Sequence, residues 1–474
     1  MKKFFEKHDL FKLAGIFMLI SVLLTWLCSM AYYQDGTLIT DAITRAGVFD
    51  LVTYALLGMY YFTAMFIFIF VVSGFYKFLG TTDAYQKLTL NIADFFAKNG
   101  HEKVFVAISM LLFALLASVV NEFFVLFALI PFFISILSKM KVDKITGLSA
   151  TFGGILVGIL ASTYSSRIVG QLVANIDGIT YGYELITVIF LFAIAYLLLL
   201  FFTFVRMNKW AAFKKKDPLE DPFYTEKLKD NKKTKKMKVS VLPMAFVLLA
   251  TFVLLILAFI SWDNALGVTV FTDAYEWVTA ATLFDTTIYS YLLGNIYSFG
   301  NWDLFAGACL VFIAVLIIKI VYHIPFDQII ESFGEGFKKI SKTVVVLLLV
   351  YATLEFTVIY PTIPGLVDQI MGFGTNIFTM FISGALTSLF TVDFQYTANL
   401  IGSLFNTFEN TNVAALALQT SYGVVGFIAP TSAILMLGLS LLNIKYSEWF
   451  KHIWKYVVAL VVVVLIILAI LTYV

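Results

Sequence analysis

Four charged side chains, Glu122, Arg167, Glu355 and Asp393, fall in or beside apolar stretches at membrane depth. A charge at the centre of a bilayer is costly unless it is paired or hydrated, so each of the four marks a candidate functional position. A guanidinium can bind a carboxylate bidentately, and a carboxylate in a low dielectric can carry a proton. These residue types therefore indicate a site for a small charged solute. In the alternative, structural interpretation, Arg167 pairs with one carboxylate and serves only to lock the two halves of the chain together.

Hydroxyl and amide side chains surround these charges at two places where apolar helices should break. Ser and Thr also hold membrane helices together, so their presence alone is a weak signal. No catalytic residue and no metal ligand set is predicted, although Ser162, Thr163 and Thr431 are candidate ligands for Na⁺ as a coupling ion. The predicted substrate-binding residues are Asn121, Glu122, Ser162, Thr163, Ser165, Ser166, Arg167, Asp393, Gln395, Pro430, Thr431 and Ser432.

Two long apolar segments carry the predicted breaks. The first, 148–173, contains GGILVGILASTYSSRIVG, and the second, 413–443, contains GFIAPTSAILMLG. Pro430 lacks an N–H and clashes with the preceding turn, and broken backbone at membrane depth is tolerated only against protein or a water-filled cavity. In secondary transporters, paired breaks of this kind form the substrate site. A proline-kinked packing helix is the alternative for the second segment.

Composition places the whole chain in a membrane. The 474 residues are 61% hydrophobic and 13% charged, with a mean hydropathy of +0.93, which no soluble globular protein matches. The two cysteines lie in apolar runs and the four histidines are scattered, so neither a disulfide framework nor a metal cluster is predicted. The first apolar run lacks a cleavage site, and we expect it to remain as a span.

Charge placement predicts the orientation. Segment 206–238 holds twelve Lys and Arg against five acids, whereas segment 262–301 holds four acids and no Lys or Arg. By the positive-inside rule the first segment and the basic N-terminus are cytoplasmic, and the second segment is external. The chain then divides into a membrane repeat at 1–205, a cytoplasmic linker at 206–240 and a second membrane repeat at 241–474.

Each predicted repeat contains a re-entrant hairpin, a broken helix and a closing span. One hairpin opens inward and the other outward, with Glu122 and Asp393 at their tips. The pattern predicts an all-α polytopic membrane protein built as an inverted repeat. Simple spans are predicted at 12–32, 51–75, 184–205, 241–261, 303–322, 343–360 and 456–473, an interfacial helix at 81–103, hairpins at 104–137 and 376–404, and broken helices at 145–175 and 413–443.

Several motifs resemble those of the YfcC-like family, whose members are basic amino acid antiporters and C4-dicarboxylate anaerobic carriers of the ion transporter superfamily. The most specific is GFIAPTSAILMLGLSLLNIKYSEWFKHI at 426–453; the others are LTW at 24–26, VVNEFFVLFALIPFF at 119–133, VDKITGLSATFGGILVGILASTYSS at 142–166 and AFKKKDPLEDPFY at 212–224. The resemblance implies elevator-type transport. The chain departs from the family pattern at residues 29–31, at residues 165–166 and at the second hairpin tip, where TVDFQ occupies 391–395, and these departures leave the substrate open.

We therefore expect a secondary active transporter of an amino acid or small carboxylate, acting as an antiporter or an ion-coupled symporter, and no enzyme. A channel-like or lipid-handling membrane protein is the alternative. The expected location is a bacterial plasma membrane with the N-terminus in the cytoplasm. Beyond the substrate, the expected partners are the lipid bilayer and a second copy of the chain in a homodimer, with no nucleic acid and no cofactor except Na⁺ or H⁺.

Overall fold

The computed structural model describes residues 9–34, 37–98, 100–212, 218–223, 239–294 and 296–473. Helices dominate this part of the chain, and six of the described helices are long and apolar enough to cross a membrane. The predicted all-α polytopic class is confirmed, with one short exception. Aromatic and β-branched residues after the first span form an antiparallel strand pair, Ala31–Gln34 with Thr37–Thr40. The first span accordingly ends at Leu27, five residues before the predicted boundary.

The first half contains a hairpin and a broken helix in the predicted order. The first hairpin consists of Glu102–Ala117 and Ile130–Lys139, joined through a tip and a 3₁₀ segment. The first broken helix runs from Lys144 to Leu160 and resumes at Val169. The helical elements are Asp9–Leu27, Asp50–Tyr61, Thr63–Gly80, Asp83–Lys98, Glu102–Ala117, Phe123–Ala128 (3₁₀), Ile130–Lys139, Lys144–Leu148, Ser149–Gly153 (π), Gly154–Leu160, Val169–Asn175 and Leu185–Ala212.

The second half repeats this order. The second hairpin consists of Ile377–Ser388 and Phe394–Ile401, and the second broken helix of Thr411–Gly426 and Ala433–Leu441. Helix Phe326–Ile359, hereafter the long helix, precedes them. The helical elements are Leu242–Ala258, Trp262–Leu266, Val270–Ala280, Ile288–Leu293, Leu304–Tyr322, Phe326–Ile359, Ile363–Met371, Ile377–Ser388, Phe394–Ile401, Gly402–Thr407 (3₁₀), Thr411–Gly426, Ala433–Leu441 and Tyr446–Tyr473.

Small residues let each hairpin lie directly against its broken helix. A methyl group on Gly158 of the first broken helix would approach the Cβ of Ala117, in the first hairpin, to 2.7 Å. In the second half the small residue is on the hairpin, where a methyl group on Gly384 would lie 3.2 Å from the Cδ1 of Leu418. Close approach of helix backbones at small residues is a common way to pack helices in lipid. The hairpin and the broken helix of each half therefore form one packed unit.

The long helix belongs to a second group of helices. Asp9–Leu27, Asp50–Tyr61 and Thr63–Gly80 pack along it. We call this group the frame. The long helix also packs against Ala433–Leu441, the second part of the second broken helix. The frame thus borders the packed hairpins along the side where the second helix break lies.

The described part of the linker, 218–223, lies against the first repeat. Leu219 and Phe223 are buried, and the backbone N–H of Leu219 donates to the carbonyl of Val142 at 2.8 Å. Burial raises the pKa of the Asp221 carboxyl, while hydrogen bonds and the ammonium groups of Lys139 and Lys339 oppose the shift. This short segment is therefore part of the packed structure.

Several predicted boundaries are wrong. The closing span of the first half continues to Ala212, so the helix extends seven residues into the predicted linker. The span predicted at 343–360 is the second half of the long helix, which begins at Phe326, and the last span begins at Tyr446 instead of residue 456. Polar and charged residues continue these helices past their apolar parts. The predicted boundaries are too short because hydropathy detects only the apolar part of a helix. The predicted span 51–75 is interrupted at Phe62.

Candidate functional site

Arg167 lies where the two hairpin tips meet. Its Nη2 forms an ion pair with the Oδ2 of Asp393, and its Nη1 lies 3.6 Å from the Oε2 of Glu122. The side chains of the three residues are 23%, 10% and 18% exposed respectively, and that exposure faces the cavity they line. One cation therefore joins two carboxylates from the two repeats. Asp393 makes the closer contact, so Glu122 is the less constrained carboxylate.

Each carboxylate also holds its own hairpin tip. The Oε1 of Glu122 accepts from the backbone N–H of Phe124 at 3.1 Å, and the Oδ1 of Asp393 accepts from the N–H of Gln395 at 3.1 Å. An acidic side chain at this position satisfies a free N–H at the start of a helical segment. The two acids thus use one oxygen to cap the helix after the tip and the other to face Arg167. This equivalence supports the inverted-repeat interpretation.

The hydroxyls at the first break bind the first hairpin. Ser162 and Thr163 donate to the carbonyl of Ser118 at 3.2 and 3.3 Å, and Ser165 donates to the carbonyl of Val120 at 2.5 Å. The Oγ of Ser165 also accepts from the N–H of Arg167 at 3.2 Å. Broken backbone inside a membrane must be satisfied within the protein. These hydroxyls therefore fasten the broken helix to the hairpin tip and place Arg167.

The second break is fastened in a similar way. The Thr431 hydroxyl donates to the carbonyl of Leu389 at 2.9 Å, and the hydroxyl of Tyr422 donates to the carbonyl of Val392 at 3.1 Å. Ser432 accepts from the N–H of Leu435 and so begins the helix after the break. Each break is thereby bonded to the tip of the hairpin from the same half.

Gln419 connects the second broken helix to the first break. Its Nε2 donates to the carbonyls of Leu160 and Ser162 at 3.3 and 3.0 Å, where the first broken helix ends. Its Oε1 accepts from the hydroxyl of Tyr183 at 2.6 Å. Gln419 is fully buried. It therefore satisfies helix-end carbonyls that would otherwise lack partners in the membrane interior.

A narrow cavity lies between the tips, the second break and the long helix. Its volume is about 30 Å³, enough for about two water molecules. A four-carbon solute needs more room than this, so the cavity is too small to hold one in this conformation, and we call it the closed site in that sense. The cavity is lined by Glu122, Phe123, Phe124, Leu156, Ile159, Arg167, Tyr351, Ser388, Val392, Asp393, Tyr422, Val425, Gly426, Ala429, Thr431, Ser432, Ala433 and Ile434.

The structure divides the predicted site residues into two sets. Glu122, Arg167, Asp393, Thr431 and Ser432 line the cavity. The other seven lie outside its lining: Asn121, Ser162, Thr163, Ser165, Ser166, Gln395 and Pro430.

Asn121 is one of the residues outside the lining. Its Nδ2 donates to the carbonyl of Gly300 at 2.9 Å, and its backbone N–H donates to the carbonyl of Phe259 at 2.7 Å, so it ties the tip to the second half. The assignment of Na⁺ to Ser162, Thr163 and Thr431 stays a prediction. Within the described residues, no group of three or more His, Cys, Asp or Glu side chains is placed to hold a metal ion.

Sequence reasoning missed the tyrosines of the site. Tyr351 of the long helix and Tyr422 of the second broken helix both line the cavity and are largely buried. Glu355 lies one helical turn beyond Tyr351, where residues four apart share a face. Glu355 is only 7% exposed and, among the described residues, has no ion-pair partner within 4.0 Å. The four-residue spacing of Tyr351 and Glu355 is the sequence signal that could have placed Tyr351 at the site, because two polar residues four apart on an apolar helix lie on one face.

Helices of membrane-crossing length, two broken helices and a closed charged cavity between two hairpins define a multi-pass membrane transporter. The family model of DcuC, the C4-dicarboxylate anaerobic carrier, matches residues 8–473. The chain therefore belongs to the C4-dicarboxylate anaerobic carrier family, as the sequence resemblance implied. Among solved structures, the chain is similar to the crystal structure of the Alcanivorax borkumensis YdaH transporter, with a TM-score of 0.41 and 12% identity over 97% of each chain. No curated protein matches the chain.

Proposed function

We propose that this protein is a secondary active transporter of small carboxylates, with C4-dicarboxylates as its first candidate substrates. The observation that carries the proposal is the position of Arg167, a cavity-facing guanidinium at the junction of the two hairpin tips. A guanidinium recognises a carboxylate through two parallel hydrogen bonds. The membership of the family supports the choice of dicarboxylates.

The charges of the site link substrate binding to proton binding. With both acids ionised, Glu122, Asp393 and Arg167 sum to one negative charge, and a dianion would meet repulsion. Protonation of either acid releases Arg167 to take a substrate carboxylate in its place. Glu122 is the first candidate because its contact with Arg167 is the longer one, at 3.6 Å. We therefore propose proton-coupled transport or exchange, in which the substrate and a carboxylate compete for one guanidinium.

The same charges favour a second candidate substrate. An amino acid presents a carboxylate for Arg167 and an ammonium group for Glu122 or Asp393, and it fits the site with both acids ionised. Basic amino acids satisfy this pattern most fully. A dicarboxylate requires one acid to be protonated, so low pH favours its binding, whereas an amino acid fits with both acids ionised, so higher pH favours it. The pH dependence of transport therefore distinguishes the two substrate classes.

Alternating access follows from the closed cavity and from the two groups of helices. The hairpins and broken helices are bonded to one another, and the long helix of the frame forms the opposite wall through Tyr351. A movement of the hairpins along the frame would open the cavity to one side at a time. A channel would require a continuous path, and the narrow space around Arg167 favours a carrier.

The test is uptake into proteoliposomes containing the purified protein. We expect radiolabelled succinate to accumulate when an inward proton gradient is imposed, and unlabelled fumarate to compete with it. Arginine uptake without succinate uptake would support the amino acid candidate. Transport of neither class, in vesicles whose protein remains folded and monodisperse, would refute the proposed function.

A further inference from the structure

A second cavity, hereafter the lysine cavity, lies on the same pair of helices as the closed site. It is far larger, with a volume of about 470 Å³. Its walls come mainly from the long helix and from the end of the second broken helix. The lining residues are Lys77, Glu335, Lys338, Lys339, Lys342, Thr343, Ser440, Leu441 and Asn443.

The lysine cavity is strongly positive. It has four lysines and one acid, and that acid, Glu335, is already paired with Lys77 at 3.0 Å. Within the described chain, Lys338, Lys339 and Lys342 have no ion-pair partner within 4.0 Å. Asp221 of the linker acts electrostatically on Lys339 from outside the lining. A cavity lined by one sign of charge raises the local concentration of the opposite ion.

The two cavities lie along the same pair of helices. The long helix contributes Tyr351 to the closed site and Thr343 to the lysine cavity, which an α-helix separates by about 12 Å at 1.5 Å per residue. The second broken helix contributes Ile434 and Ser440 in the same way. A hydrogen bond of 2.9 Å between the hydroxyls of Thr343 and Ser440 joins the two helices at the inner edge of the lysine cavity.

We propose that the lysine cavity is a capture site for small dianionic carboxylates, through which they reach and leave Arg167. This inference rests on the proposed function and makes it more specific, because such a cavity concentrates dicarboxylates and repels basic amino acids. The proposed orientation places it on the cytoplasmic side. Positive charge on that side is expected for any membrane protein. The additional feature is that three lysines, none of them ion-paired within the described residues, converge on one cavity along the helix pair that also borders the closed site.

The test replaces Lys338, Lys339 and Lys342 together by glutamine. A matched control replaces Lys209, Lys451 and Lys455 by glutamine, which removes the same charge from helices outside the lysine cavity. Succinate transport is measured in inside-out and right-side-out membrane vesicles. We expect the cavity variant to raise the KM for succinate about 10-fold from the cytoplasmic face, within the range of electrostatic concentration effects. The KM from the outer face, the maximal rate and the control variant should keep the parental values.

Ionic strength provides the second measurement. The parental KM from the cytoplasmic face should rise with salt, because screening at high ionic strength shortens the reach of exposed charges, and the cavity variant should show little further change. The salt effect must persist in proteoliposomes of phosphatidylcholine alone. A salt effect that requires anionic lipid would assign the cavity to lipid headgroups and overturn the proposal.

Equilibrium binding of radiolabelled succinate to the detergent-purified protein separates the two hypotheses. If the parent neither binds succinate nor transports it from either face, the proposed dicarboxylate function and the capture site are both wrong. If the parent transports succinate while the cavity variant and the charge-matched control share one cytoplasmic KM, the capture site alone is wrong.

Discussion

Replacement of Arg167 by lysine tests the centre of the proposed mechanism. The two terminal nitrogens of Arg167 face carboxylates on separate hairpins, Asp393 through Nη2 and Glu122 through Nη1. A lysine keeps the charge but concentrates it in one ammonium group at the end of a flexible chain, so it cannot present the two parallel donors of a guanidinium. The substitution should therefore weaken substrate recognition more than it disturbs folding.

The expected magnitude follows from the lost contact. A hydrogen bond to a charged group contributes about 1.5–3 kcal/mol, and about 1.4 kcal/mol corresponds to a factor of ten in affinity. Loss of one of the two bonds to a substrate carboxylate should raise the KM for succinate by roughly 10- to 100-fold. Proteoliposome uptake over a range of succinate concentrations measures this change, and size-exclusion chromatography checks that the variant remains folded.

Arg206→Lys is the matched control. Arg206 also pairs with an acid, since its Nε lies 2.7 Å from the Oδ1 of Asp143, but this pair is outside the closed cavity. The control should keep the KM of the parent. If Arg167→Lys also transports succinate with the parental KM and rate, Arg167 is a structural strut and the mechanism proposed for it is wrong.

Three further predictions test coupling, packing and orientation. Glu122→Gln should abolish the accumulation of succinate driven by a proton gradient while sparing exchange. Asp393→Asn should weaken both activities, because Asp393 holds Arg167 more closely. Equal accumulation by Glu122→Gln and the parent would show that Glu122 has no part in the coupling step. Gln419→Leu leaves two buried helix-end carbonyls without its amide and should destabilise the protein by about 1–3 kcal/mol, seen as a lower midpoint of thermal unfolding, and an unchanged midpoint would contradict this role. Single cysteines at Lys232 and Asp273, in a background without the native cysteines, should react with impermeant maleimide from opposite sides, and labelling from one side would refute the proposed orientation.

Much of the architecture could be predicted because membrane constraints act on local sequence. Apolar length determines which segments can span, and Pro430 and the glycines of the first break show where a helix cannot continue. A charge inside an apolar run is rare enough to mark a candidate site, so the sequence alone singles out Glu122, Arg167 and Asp393, and the structure places all three on one cavity. The helix ends are predicted less well, because polar residues continue these helices past the apolar part that hydropathy detects.

Only the tertiary structure decided which polar groups face the cavity. Ser162, Thr163 and Ser165 are of residue types that are common in binding sites, yet their hydroxyls donate hydrogen bonds to carbonyls of the first hairpin. Tyr351 reaches the site from a helix more than 180 positions away along the chain from Arg167. The three lysines form one cavity because the long helix packs against the end of the second broken helix. Local sequence sets the cost of placing a charge in the membrane, but the partner that offsets that cost comes from another repeat, and its position depends on how the helices pack.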